Sequence, residues 1–488
     1  MVVQLIKLVS ETLSVPYDQI VLISSLFSSI PIGLINYLIK DPTIRLLYGG
    51  ITGFFLMFSL YGSGIIHVII GTFITYFFMK YFGRKKSAFY VFIITFLYLS
   101  SLHIHRMIFY YGIWTADDIT SLFMVTIPKY SSMAFSYEDG DKDDKDLKNN
   151  HWKNYKIKDM PSLLETLSYI FYFPSCVIGP VFEFRDFKDF IYHQGVYKNL
   201  KLKTTFFFGG IELLFTFMSM AYYAYFSSKI PLSYAGSVEF GEKSILYKFL
   251  YINFAMSVHR SKFYSGWLLC CSGMIFCGLS YTEHKKEEGK KIELPLIYLD
   301  KGDYYITYEK GGYGSIFDCE FGINPKTKIT SWNHSTHLWL KYFLFLRLIN
   351  VENKIFKNNY SLASLITFMI SAFWHGFYYT YYIFFFLFFI YQNANEKIDK
   401  LGLYTYLRSD PKLFLLKTPF WIFNQFMCNA LGTIIFNLKW ELFVQFLKNT
   451  YYSPIILVFI LYLGTMNIKG EKSKSKIKQK ESETKKLN

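Results

Sequence analysis

What most constrains this chain is a succession of apolar stretches about twenty residues long. A peptide that crosses lipid must bond every backbone N–H and C=O within itself, and a helix of about that length does so. Such stretches lie near 19–39, 46–82, 88–106, 118–134, 161–182, 203–228, 246–259, 264–282, 333–349, 360–391, 413–436 and 451–466. The second is long enough for two passes and 360–391 reads as two, so the pattern predicts an all-α polytopic membrane protein with about ten to twelve transmembrane helices. Composition agrees. Of 488 residues 52% are hydrophobic, 21% aromatic and only 18% charged, whereas a soluble chain carries about a quarter charged residues. Disordered, collagenous and coiled-coil classes are excluded on that ground. The six cysteines sit mostly in apolar runs without Cys-x-x-Cys spacing, and read as small buried hydrophobes in place of a disulfide framework.

Several apolar stretches carry groups that a lipid-facing helix tolerates poorly, as in Ile127-Pro128-Lys129-Tyr130, so some of them are expected to line an internal cavity. Three polar stretches, 137–160, 284–331 and 469–488, read as solvated loops or termini. The chain thus divides into a membrane domain over 1–468 and a basic tail over 469–488. Eight Lys against three Glu give the tail +5 of the formal net charge of +16. Positive charge beside a last membrane span favours the cytosolic side and anionic headgroups, which explains the basic balance without a nucleic-acid partner. The ending Lys485-Lys486-Leu487-Asn488 resembles the dilysine signal that retrieves membrane proteins to the endoplasmic reticulum.

An ionisable side chain inside an apolar stretch is costly and therefore a functional candidate. His375 stands out, in Ser371-Ala372-Phe373-Trp374-His375-Gly376 between two apolar runs. A neutral imidazole is the form a general base needs, although a lone apolar-face His is also a common hydrogen-bonded core residue. A second polar island runs from Ser331 to Tyr342. On a helix Asn333, Thr336, His337 and Lys341 would share one stripe, with Trp332 and Trp339 a heptad apart. An amide so placed orients a base or donates to a developing oxyanion. His334 and His337 by themselves are too few to specify zinc, and no metal site is expected.

At these residues the chain resembles the membrane-bound O-acyltransferase superfamily. Trp332-Asn333-x-x-Thr336-x-x-Trp339-Leu340-Lys341, followed by Ser371 to Gly376, is similar to its paired signature, with Asn333 and His375 separated by 42 residues. Two further blocks resemble the lysophospholipid acyltransferase branch: Met124 to Gly140, with Lys129, Ala134-Phe135-Ser136-Tyr137 and Asp139-Gly140, and Pro161 to Pro180. Lys262-Phe263-Tyr264-x-x-Trp267 with Gly278-Leu279-x-Tyr281 is a weaker match. The resemblance implies helices enclosing a reaction chamber, and transfer of a fatty acyl group from acyl-CoA, a co-substrate, to the free hydroxyl of a lysophospholipid. No cofactor is implied. His375 would be the general base and Asn333 the substrate or oxyanion partner. Trp332, Thr336, Trp339, Trp374 and Lys341 would bind substrate, and Lys341 and Arg347 are candidates for the CoA phosphates. Those tryptophans equally suit membrane packing, and the two cations equally suit topology.

Two departures bear on substrate choice. The branch often continues Tyr-Pro-Gly-Tyr-Tyr after its His-Gly, where this chain has Tyr378-Tyr379-Thr380-Tyr381-Tyr382, and it often carries an acid four residues after the tryptophan where this chain has Cys271. Sterol and diacylglycerol acyltransferases usually place Phe-Tyr-x-Asp-Trp-Trp-Asn at the asparagine, against Thr327 to Asn333 here, so the neutral-lipid reading is secondary. A multi-pass transporter using the same polar islands is the non-enzymatic alternative.

Overall fold

The computed structural model describes residues 2–13, 15–286, 294–351, 355, 357, 359–409 and 411–468. The basic tail, with Lys485 and Lys486, lies outside them. The described chain is a helical assembly with one small antiparallel sheet, Tyr281–Lys285, Leu299–Asp300 and Tyr304–Tyr308, in which the last strand is central. Four helical runs among the described residues are long and apolar enough to cross a membrane: Tyr17–Leu38, Pro42–Phe82, Ser87–Phe109 and Leu202–Phe226. The pair Trp440–Asn449 and Ser453–Thr465, bent by 68°, makes a fifth. That is fewer than the apolar pattern alone suggests, because other long helices carry internal polar residues. Ile119–Glu138 is buried at every position from Thr126 to Ala134 and packs as a central post.

The run Pro42–Phe82 is interrupted once. At 41 residues it would extend about 60 Å if straight, roughly twice the hydrocarbon thickness. The 3-10 turn Gly62–Gly64 breaks it, with Gly62 at φ +52°. Both halves pack against the interior. Gly53 abuts the Phe171 carbonyl so closely that a Cβ would lie 1.6 Å from its oxygen. On the second half the Val68 carbonyl accepts from Tyr130 Oη at 2.8 Å, and Lys129, next to Tyr130, bonds to the Ile170 carbonyl.

Three sequence expectations are corrected. The stretches 246–259 and 264–282 are not two spans but parts of one 33-residue helix, Ile245–Cys277. The polar patch between them is internally satisfied: Arg260 pairs with Glu320 and the Lys262 ammonium lies 3.4 Å from the centre of the Trp114 ring. The stretch 161–182 is not a span. It forms the short helix Leu163–Ile170, opened by a Ser162/Glu165 capping box, and then a buried irregular segment up to Glu183. Such backbone survives at membrane depth only where protein groups satisfy it. Here Lys129 Nζ donates to the carbonyls of Tyr169 and Ile170 at 3.4 and 3.2 Å and to Ser175 Oγ at 2.9 Å, and Tyr169 Oη donates to the Phe182 carbonyl at 2.7 Å. Third, the polar stretches 137–160 and 284–331 are only partly solvated. Asp139 and Trp152 are buried in the first, and Cys319 and Lys328 in the second.

Candidate active site

Asn333 is not on the helical stripe expected for it. The helix Pro325–Ser331 stops at Trp332, and Asn333 follows in the left-handed region at φ 45°, ψ 55°, as the cap of the next helix, His334–Leu340. Asparagine is among the few residues that take this conformation readily, since its short polar side chain relieves the penalty on a Cβ. The Asn333 carbonyl accepts the His337 amide at 3.0 Å, and the His334 amide donates to the Tyr313 carbonyl at 2.9 Å. The Asn333 side chain has no hydrogen-bond partner among the described residues. Its amide is therefore free to meet a ligand.

His375 is the last residue of the helix Tyr360–His375, which ends at Gly376 with φ +126°. Its ring packs against Trp374, Tyr381 and Phe385 at centroid distances of 4.8, 5.5 and 5.3 Å, and neither ring nitrogen has a hydrogen-bond partner among the described residues. The turn carrying it is held from behind by buried His103, whose Nε2–H donates to the Trp374 carbonyl at 3.1 Å. His103 also explains the glycine, since a Cβ at Gly376 would sit 3.1 Å from His103 Nδ1.

The two signature segments meet at a narrow cleft of about 40 Å³. Its walls are Met124, Val125 and Pro128 of the central post, the irregular segment Ile178 to Val181, the turn residues Asn333, Ser335 and Thr336, and Trp374. Ser335 Oγ accepts the Val181 amide at 3.2 Å, which fixes the Asn333 turn to the irregular wall. Trp374 Nε1 donates to the Met124 carbonyl at 3.0 Å, and Trp339 Nε1 to Ser131 Oγ at 2.8 Å, so both indoles are fastened to the post. Their rings lie 6.1 Å apart.

Not every residue read from the sequence lines this cleft, and neither His375 nor Trp339 does. Trp332 turns the other way and packs on the helix Ile245–Cys277, 4.9 Å from Trp267 and 5.6 Å from Phe263. Lys341 opens a π-helical turn, Lys341–Phe345, is exposed, and lies over the Tyr342 ring at 5.0 Å. Arg347 is committed elsewhere. Its guanidinium forms a two-pronged ion pair with buried Asp139 and lies 4.3 Å from the Trp152 ring centre, so it is a brace and not a free phosphate binder. His334 Nδ1 is engaged with the Thr330 carbonyl at 2.7 Å. Among the described residues no group of three or more His, Cys, Asp or Glu has metal-binding geometry.

Sequence reading also passed over residues that hold the site. Arg260 on the long helix pairs with Glu320 at 2.6 Å, Tyr264 Oη donates to the same carboxylate at 2.8 Å, and Lys328 donates to the Cys319 and Glu320 carbonyls at 3.1 Å. This network anchors the segment leading into Asn333, as Asp139–Arg347 anchors the segment leaving it. His103, Arg260 and Glu212 each met the criterion that exposed His375, an ionisable group within an apolar stretch.

Residues 118–436 match the family model of the membrane-bound O-acyltransferases, a stretch that contains Asn333, His375 and every wall of the cleft. The chain belongs to the membrane-bound O-acyltransferase family. It is 28% identical over 350 residues to a lysophospholipid acyltransferase of Saccharomyces cerevisiae, covering 66% of this chain and 52% of the yeast protein. A lysophospholipid acyltransferase of Schizosaccharomyces pombe is 26% identical over 388 residues, 75% of this chain and 69% of that one. Membrane-bound glycerophospholipid O-acyltransferase 1 of Mus musculus is 25% identical over 355 residues, 69% of this chain and 66% of that one. The matched stretch thus spans about half the length of the Saccharomyces relative. As a family member the chain is a multi-pass membrane protein.

Proposed function

We propose that this protein transfers a fatty acyl group from acyl-CoA to the free hydroxyl of a lysophospholipid, in the endoplasmic reticulum membrane and with the basic tail on the cytosolic side. The reading is supported by the names of the relatives and by one observation above all: Asn333, with its amide unpartnered, and Trp374, the chain neighbour of His375, wall the same cleft.

In this reading His375 takes the proton of the lysolipid hydroxyl as the oxygen attacks the thioester carbonyl. A positioned base contributes about 10²–10⁴-fold. The Asn333 amide donates to the tetrahedral oxyanion, a contribution of a few kcal/mol where water is excluded. The intermediate collapses with loss of the CoA thiolate, which receives from the imidazolium the proton taken from the hydroxyl. No covalent acyl-enzyme is needed, and five of the six cysteines are buried. Trp374 shapes the wall, Thr336 offers a hydroxyl to the cleft, and Trp332, Trp339 and Lys341 act from outside its lining.

The test uses purified protein in detergent, with a colorimetric thiol reagent to follow CoA release that depends on added lysolipid. His375→Ala should lose about 10²-fold or more in turnover. Asn333→Gly keeps the left-handed backbone while removing the amide, so it should fold as the wild type and lose turnover. Activity within threefold of wild type in either variant sinks that residue's role. Lysolipid-independent thiol release, or none, sinks the reading.

A further inference from the structure

Glu212 lies inside the membrane-spanning helix Leu202–Phe226, on the stripe shared by Thr205, Phe208, Gly209 and Thr216, all buried. That stripe faces the helix Ile245–Cys277. A Cβ at Gly209 would touch the Phe276 ring at 2.6 Å, and Ser219 Oγ donates to the Ser261 carbonyl at 3.1 Å. This antiparallel register sets Glu212 opposite Cys271.

Glu212 is unlike the other interior carboxylates. Asp139 has Arg347 and Lys142, and Glu320 has Arg260. The Glu212 carboxyl has neither a hydrogen bond nor an ion pair among the described residues, and no cation acts on it. A carboxyl at such depth is costly in its charged form, and the charge is sustained there when a cation meets it. Around it stand rings. Trp267 is one turn from Cys271, and Phe215 nearly one turn from Glu212. Both pack in one cluster with Tyr264, Tyr313 and Trp332. Aromatic faces beside a carboxylate suit an ammonium ion. This cluster is also one residue from the candidate chemistry, since the Tyr313 carbonyl holds the His334 amide and Trp332 precedes Asn333.

We propose that Glu212 is the counter-ion for the ammonium group of a lysophospholipid headgroup, received between the Glu212 carboxylate and the rings of Tyr313 and Trp267 while the lipid hydroxyl lies at Asn333. The inference rests on the acyltransferase reading and adds its headgroup class. The protein should favour choline- and ethanolamine-bearing lysolipids over inositol-bearing ones.

The experiment measures kcat/KM for lysophosphatidylcholine, lysophosphatidylethanolamine and lysophosphatidylinositol in wild type, Glu212→Gln and Glu212→Asp. Loss of a desolvated charge pair should lower kcat/KM about tenfold or more for the two ammonium lipids in Glu212→Gln, leave the inositol lipid within threefold, and be partly restored in Glu212→Asp. Thermal protection of the wild type by lysophosphatidylcholine, absent with lysophosphatidylinositol, is the expected companion result. It supplies the readout if Glu212→Gln does not fold. An equal loss on all three lipids, or an unchanged headgroup ranking in an active variant, overturns the Glu212 assignment alone. A wild type inactive on every lysolipid overturns the acyltransferase reading and this inference with it.

Discussion

Around Asn333 the chain is tied down by charge, and around His375 by rings. The segment entering Asn333 hangs on Arg260–Glu320 and Lys328, the segment leaving it on Asp139–Arg347, and two of these five side chains, Arg260 and Asp139, lie on elements distant in sequence from residue 333. The His375 turn has the rings of Trp374, Tyr381 and Phe385 around the imidazole, and its polar ties run through Trp374, from His103 to the Trp374 carbonyl and from the indole N–H to the Met124 carbonyl. The difference is physical. An amide that binds substrate needs a fixed direction, which paired charges impose, whereas a base that exchanges a proton is better left without a competing partner. Charge ties are also all-or-none, because a buried ion stranded by loss of its partner costs far more than the pair contributes. Ring packing yields by degrees.

The largest effect should come from breaking the charge side. Glu320→Ala strands the Arg260 guanidinium, which is 7% exposed, and should destabilise the protein by about 3–5 kcal/mol. The double variant Arg260→Met/Glu320→Leu should recover most of that loss, read as detergent-solubilised thermal stability. Equal stability of the single and double variants would mean that charge does not hold the Asn333 side. Gly376→Ala probes the ring side. It forces an alanine to φ +126° against His103, at about 1–3 kcal/mol, and should lower turnover more than it lowers stability, because the strain falls on the turn that aims His375. A variant with wild-type turnover would show that turn to be compliant. The smallest effect is expected from Ser131→Ala. It removes the acceptor of Trp339 Nε1–H and should cost about 1–3 kcal/mol of stability at most, with KM for acyl-CoA moved less than threefold. A larger change in KM would place Trp339 against substrate.

Most helix positions were legible from apolar length, and the Asn333 and His375 segments from their motifs. The misreadings share one cause. A window of average hydropathy cannot tell which polar residues will find partners. Arg260 to Phe263 looked like a break between two spans, yet Arg260 finds Glu320 and Asn429 and Lys262 finds Trp114, so the helix continues. The stretch 161–182 looked like a span because its apolar length is right, although it contains Pro174 and Gly179-Pro180 and is threaded through the interior. Trp332 and Trp339, a heptad apart, seemed to share a face, and the left-handed Asn333 between them turns one toward the long helix and the other toward the post. His103 and Glu212 were visible as isolated ionisable residues. Only the packing gives one a backbone to hold and leaves the other without a counter-charge.

Lys129 takes up in one ammonium group three acceptors released where the helix Leu163–Ile170 stops short. The chain beyond that stop, at Ile178 to Val181, is a wall of the cleft. It follows that the contour offered to substrate is cast by a cation outside the cleft lining. Exchanging Lys129 for an uncharged residue of equal length would reshape that contour while leaving every residue of the lining unchanged.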